Sequence, residues 1–184
     1  MSSIDLFILG FLKERSCNAY ELSSFIKNNK FNELLKISTP AVYKNLIKLS
    51  KNGFLSVKSI KDSQKPERKV YSITTKGEKH YLKLLNKIFN KELKYYFDFN
   101  VGVLNLNMVK KEDGLKYLKS LKNQFEKKRI FINETIKRFH FIPIFGLTIM
   151  KQQQMLNNAM LKWIDEFIIQ YKKYNGSKGL RLEM

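Results

Sequence analysis

The side chains best suited to covalent chemistry or metal binding are one cysteine, Cys17, and two histidines, His80 and His140. Neither histidine has a carboxylate or cysteine at ligand or triad spacing, and the glycines form no phosphate-cradling motif, so neither enzyme nor metal centre is expected. Cys17 reads as a small buried filler rather than a redox group. The pattern with chemical content lies between Ser38 and Asn52. Thr39, Tyr43, Lys44, Lys48 and Lys51 recur there on one side of a helix, hydroxyls and ammonium groups together. Such a face recognises a polyanion without making a covalent bond.

That face needs a helix to carry it, and the sequence supplies one with both ends marked. Ser38 is a good N-cap, Pro40 fits the first turn, and Val42, Leu46 and Leu49 recur at i, i+4 and i+7 as an apolar stripe. Asn52-Gly53 ends it, glycine being the common left-handed terminator. Before it stand two shorter helices. Residues 4–13 are apolar almost all round, as in a buried helix. Ser16 or Asn18 caps the next, whose buried stripe is expected to be Tyr20, Leu22, Phe25 and Ile26.

After Gly53 the period changes from helical to alternating. Phe54–Ile60 and Lys69–Ile73 read as two strands of a hairpin, with Lys61–Arg68 as a polar, basic loop between them. Lys65, Arg68 and Lys69 are placed to meet flanking phosphates. Thr74 or Thr75 then caps a helix with Tyr81, Leu84, Leu85, Ile88 and Phe89 as one stripe, followed by Tyr95, Tyr96, Phe97 and Phe99. Lys110–His140 is expected as a long helix facing inward through Leu115, Leu118, Leu121, Phe125, Ile132 and Ile136. A last helix runs from about Ile144 to Tyr174 and carries Met155, Met160, Trp163, Ile164 and Phe167. The tail from Asn175 is expected to fray.

Composition bounds the partner. Hydrophobic residues make up 43% and charged residues 28%, as in a folded chain. The net charge of +19 favours a polyanion. Yet residues 1–80 hold 15 Lys/Arg against 7 Asp/Glu, and residues 81–184 hold 20 against 9, so the excess marks out no single basic domain. A lone cysteine suits a reducing cytoplasm. No stretch reads as a membrane span: Phe141–Met150 is short and broken by Pro143. The run Ile4–Leu12 lacks the basic flank and cleavage site of a secretory signal.

In order and spacing over about residues 4–80, several segments resemble the PadR family of transcription regulators. They are Ile8-Leu9-Gly10-Phe11-Leu12, Asn18-Ala19-Tyr20-Glu21-Leu22, Ile37-Ser38-Thr39-Pro40-Ala41-Val42-Tyr43, Leu46-Ile47-Lys48-Leu49, Asn52-Gly53-Phe54-Leu55 and Tyr71-Ser72-Ile73-Thr74-Thr75-Lys76-Gly77. The pattern departs at Asn18-Ala19, where the family usually has His-Gly, at Lys44, often Pro, and at Ala41, commonly Ser or Thr. The resemblance implies a mainly α protein: a winged helix-turn-helix of three helices and a hairpin over residues 1–80, then a helical dimerisation and effector region over 81–184. It implies a homodimeric repressor on double-stranded DNA with an inverted-repeat operator, released by a small aromatic or hydrophobic effector, with no cofactor.

On this reading Ser38, Thr39, Pro40, Tyr43, Lys44, Lys48, Lys65, Arg68 and Lys69 form the DNA site. Tyr43 leads, its hydroxyl on a phosphate; the other reading of it is a ring packed against the hairpin. Trp163, Tyr95 and Tyr96 are effector candidates, against a role in core or dimer interface. The competing reading of the whole N-terminal pattern is a winged-helix protein-interaction module that binds no DNA.

Overall fold

A computed structural model describes residues 3–35, 37–62, 65–138 and 143–174, with side chains for all of these except 33, 34, 61, 62, 65 and 66. The hairpin tip at Ser63-Gln64, His140 with Phe141-Ile142, and the tail from Asn175 lie outside the described residues, as does the side chain of Lys65. The chain forms two compact units, Met1–Lys94 and Tyr95–Met184.

The first unit is built from α1 (Ser3–Glu14), β1 (Cys17–Asn18), α2 (Ala19–Asn28), α3 (Phe31–Leu34), α4 (Thr39–Lys51), β2 (Leu55–Asp62), β3 (Lys65–Ile73) and α5 (Thr75–Phe89). Ile8, Leu9 and Leu12 of α1 meet Leu22 and Ile26 of α2, and Val42, Leu46 and Leu49 of α4, in one core. Asn18 caps α2 in a capping box: its side chain accepts from the Glu21 N–H, while the Glu21 carboxylate accepts from the Asn18 N–H, each at 2.9 Å. Ser16 is therefore not the cap; its hydroxyl bonds Ser72 at 2.6 Å.

The sheet has the order β1-β3-β2, antiparallel throughout. Cys17 opposite Tyr71 adds a third short strand that the sequence pattern did not announce. The hairpin strands are also longer than expected. Most of the presumed loop Lys61–Arg68 is strand, because an antiparallel ladder is closed by main-chain N–H and C=O groups that polar and basic residues carry as well as apolar ones. Arg68 and Lys69 are thus strand residues paired with Ile60 and Ser59.

Gly53, at φ +71°, turns the chain out of α4. Gly77 is required for another reason: a Cβ there would collide with the Phe54 carbonyl and crowd Ile73. Thr74 caps α5 through its hydroxyl, 3.0 Å from the Gly77 N–H. The boundary expected at residue 80 cuts through α5. That helix belongs to the first unit because Leu84 is buried in its core, with Tyr81 packed alongside against α1.

The second unit contains α6 (Phe99–Leu104), a 3-10 turn at Leu106–Met108, α7 (Lys111–Arg138) and α8 (Ile144–Lys173). The last two are an antiparallel pair. Its register is fixed by Asn157 Nδ2 donating to the Phe125 carbonyl (3.0 Å), Gln154 donating to Asn133 (2.8 Å), and the Lys122–Asp165 ion pair (2.7 Å). The inward face of α7 is as expected, with Leu118 and Ile132 buried. Tyr20, expected in the buried stripe of its helix, faces out instead and is 74% exposed; Phe89, expected in one stripe with Leu84, and the apolar Met155 are also open, at 80% and 72%. Each sits near the far side of its helix from the buried row, Tyr20 being two positions before Leu22, about 200° round the helix.

Candidate nucleic-acid interface

The α4 helix is held by one side and open on the other. Its N-cap Ser38 accepts the Ala41 N–H at 3.4 Å, and Pro40 sits in the first turn. Val42, Leu46 and Leu49 are buried. Ser38, Thr39, Pro40, Tyr43, Lys44, Ile47, Lys48 and Lys51 are exposed. The free N–H groups and dipole of the first turn favour an anion there.

Along one edge α4 borders a concave surface with a volume of about 600 Å³. Its lining brings Tyr43 and Ile47 of α4 beside Tyr20 at the start of α2, and beside Arg68, Lys69 and Tyr71 of β3. Three residues expected in the site, Tyr43, Arg68 and Lys69, thus meet in space. Tyr43 stays 42% exposed while lying next to Tyr71. Burial pushes the Tyr71 phenol above its usual pKa, and the adjacent Tyr43 adds to the rise. Tyr43 thus lies near Tyr71 of the sheet while part of its surface stays open.

Lys48 is placed differently. Its Nζ is 2.7 Å from Asp5 Oδ2, and Asp5 of α1 is buried. The other carboxylate oxygen of Asp5 has no hydrogen-bond partner among the described residues. Lys48 therefore holds α4 to α1 and stands on the flank away from the wing, where Lys83, Lys87 and the His80 ring, stacked on Phe54 at 4.0 Å, line a second concavity. Lys44 makes no such commitment and projects outward. Asn18, Ala19, Tyr20, the acidic Glu21, Ile47 and Tyr71 are the members of the wing-side surface that the DNA site expected from the sequence did not include. The visible signal for Ile47 was its place off the Val42-Leu46-Leu49 stripe.

In the second unit Trp163 is half-buried in an aromatic row, with ring centroids 5.6 Å from Phe99 and 5.8 Å from Phe167. Tyr95 and Tyr96, by contrast, are 72% and 81% exposed, and no described ring contact joins them to Trp163. A cavity of about 350 Å³ is lined by Val103, Leu104, Leu106, Phe167, Gln170 and Tyr171, among others. Among the described residues no group of acids, histidines and cysteine could hold a metal ion. No described helix is long and apolar enough to cross a membrane.

Several known proteins are similar. Bacillus subtilis PadR, solved in complex with operator DNA, matches with a TM-score of 0.77 at 15% identity, covering 92% of this chain and 99% of that one. The same protein solved with p-coumaric acid matches at 0.72 and 12% identity, over 94% and 98%. The Vibrio cholerae virulence activator AphA matches at 0.71 and 18% identity, over 93% and 99%. At these identities the likeness is one of fold. A curated relative, small ribosomal subunit protein uS3m of Penicillium urticae, is 29% identical over 168 residues, 84% of this chain. The chain spans only 40% of that relative's length. The family model described as "Transcriptional regulator PadR-like family" matches residues 8–83, the stretch running from α1 through the wing into α5. The winged-helix part of this chain is therefore similar to the PadR-like family of transcriptional regulators, over less than half of the chain's length.

Proposed function

We propose that the chain is a cytoplasmic, sequence-specific DNA-binding regulator that acts as a homodimeric repressor on an inverted-repeat operator. The observation that carries this reading is the meeting of Tyr43 on α4 with Arg68 and Lys69 on β3 around one open concavity. A helix in the major groove needs neighbouring cations to hold the flanking backbone, and this surface has both. Thr39, Ser38 and Pro40 bring the helix N-terminus to a phosphate, Tyr43 gives a hydroxyl to another, and Lys44 reaches a phosphate or base edge. The likeness of fold to Bacillus subtilis PadR, which was solved with operator DNA, supports the docking mode.

For the dimer, the support is the apolar surface left open on α8, where Ile144 is 72%, Phe145 82% and Met155 72% exposed. For the effector, the support is the cavity beside the Trp163–Phe167 stack, whose apolar walls and Gln170 amide suit a small aromatic compound. Tyr95 and Tyr96, being exposed, contribute only once something covers them. The deciding experiment is binding to the inverted repeat upstream of its own gene against a scrambled duplex across a salt series. Preference for the repeat with a steep salt slope is the expected result. Equal binding to both duplexes rejects sequence-specific regulation.

A further inference from the structure

The outward row of α4 consists of Pro40, Lys44, Ile47 and Lys51, at i, i+4, i+7 and i+11. This row stands opposite the buried Val42, Leu46 and Leu49. Its chemistry is unusual for a reading helix. It holds no arginine to bracket guanine and no glutamine. The one asparagine within α4, Asn45, is partly buried and spends its Nδ2 on the Ala41 carbonyl at 2.7 Å. The bidentate contacts that most often name G or A in the major groove are therefore missing from α4. In their place Ile47 lies at mid-row, 51% exposed, between two lysines.

An isoleucine can neither donate nor accept a hydrogen bond. The one apolar group that a base pair shows in the major groove is the thymine C5 methyl. Resting on the DNA-binding reading above, we propose that Ile47 is a specificity-determining residue that selects thymine by packing against its C5 methyl. The neighbouring Lys44 and Lys51 hold the backbone or a purine edge on either side. Tyr20, 74% exposed on the same concavity, extends the apolar surface toward the wing.

Deoxyuridine differs from thymidine by that methyl alone, so it isolates the contact. The full chain is used to select duplexes from a randomised library. The selected sequence is then remade with each thymine replaced singly by uracil. At one thymine per recognised site, uracil is expected to weaken binding about fourfold, the value of one buried methyl-sized group. Ile47→Ala, a surface change, is expected to bring the thymine-to-uracil ratio at that position to about one. Lys51→Ala is expected to weaken both duplexes alike and keep the ratio.

Uracil tolerated at every position, or a methyl effect that persists in Ile47→Ala, overturns the assignment of Ile47 while leaving DNA binding intact. Failure of the library to yield any preferred duplex overturns both together.

Discussion

Tyr43, Lys44 and Lys48 are all exposed on α4, yet their surroundings give them different work. Lys44 has solvent around it, whereas Lys48 is tied to the buried carboxylate of Asp5. On the proposed DNA-binding reading Lys44 meets one phosphate, so Lys44→Ala is expected to weaken operator binding several-fold, flatten the salt slope by about one unit and leave Tm unchanged. Lys48→Ala leaves Asp5 buried with both oxygens unpaired. Its expected effect is a stability loss of about 1–2 kcal/mol, at the low end of such losses because Lys48 is itself half exposed, with a smaller effect on DNA. Thermal melts and a salt series on both variants check the split. Cys17 is the other residue whose surroundings decide its chemistry. Burial, with Glu21 nearby, pushes its thiol from 9.0 up to about 11. The thiol form is favoured in the folded state, so this contribution to stability is intact below pH 9 and lost as pH rises through about 11. Native protein at pH 8 is expected to react with a thiol reagent far more slowly than the urea-unfolded chain, and equal rates would refute the buried placement.

The elements of the first unit depend on a few junctions more than on propensity. The start of α5 lies against the Phe54 carbonyl, and Gly77 is what lets it approach. Gly77→Ala forces backbone apart at the joint between wing and helix; a loss of about 2–3 kcal/mol is expected, seen as a fall in Tm, of the size reported for overpacked sites. A Tm within error of the parent would mean that the joint is loose. This accounts for a motif that was legible as Tyr-x-Ile-Thr-x-x-Gly but whose glycine had no stated cause in the sequence. Helix ends were equally legible. Ser38 could be named as a cap, and the other two caps narrowed to Ser16 or Asn18 and to Thr74 or Thr75, because cap bonds are local, reaching three residues along the chain; the structure selects Asn18 and Thr74. Strand limits were not, since the ladder from Ile60 to Asp62 is held by partners on β3 rather than by its own side chains.

At the scale of the whole molecule, the question is what covers the apolar surface of the second unit. Its α7–α8 pair buries Leu118, Ile132, Met150, Ile164 and Ile168, but leaves Phe145 and Met155 open. A dimer through these helices is expected to give a mass by light scattering of twice 21.8 kDa at micromolar concentration. Phe145→Asp with Met155→Asp is expected to shift it toward monomer without loss of helicity. A monomeric mass for the parent chain would reject the dimer and, with it, two-fold operator reading.

The sequence by itself determined the helix from Ser38 to Asn52, its caps and its buried stripe, because these follow from contacts within a few residues. It determined the family pattern over the winged helix for the same reason. Only the tertiary structure decided which exposed residues act together. It turned Lys48 toward Asp5, brought Tyr20 and Ile47 to the surface shared with Arg68 and Lys69, and carried α5 into the first core. Those pairings join residues more than 20 positions apart, and no local periodicity records them.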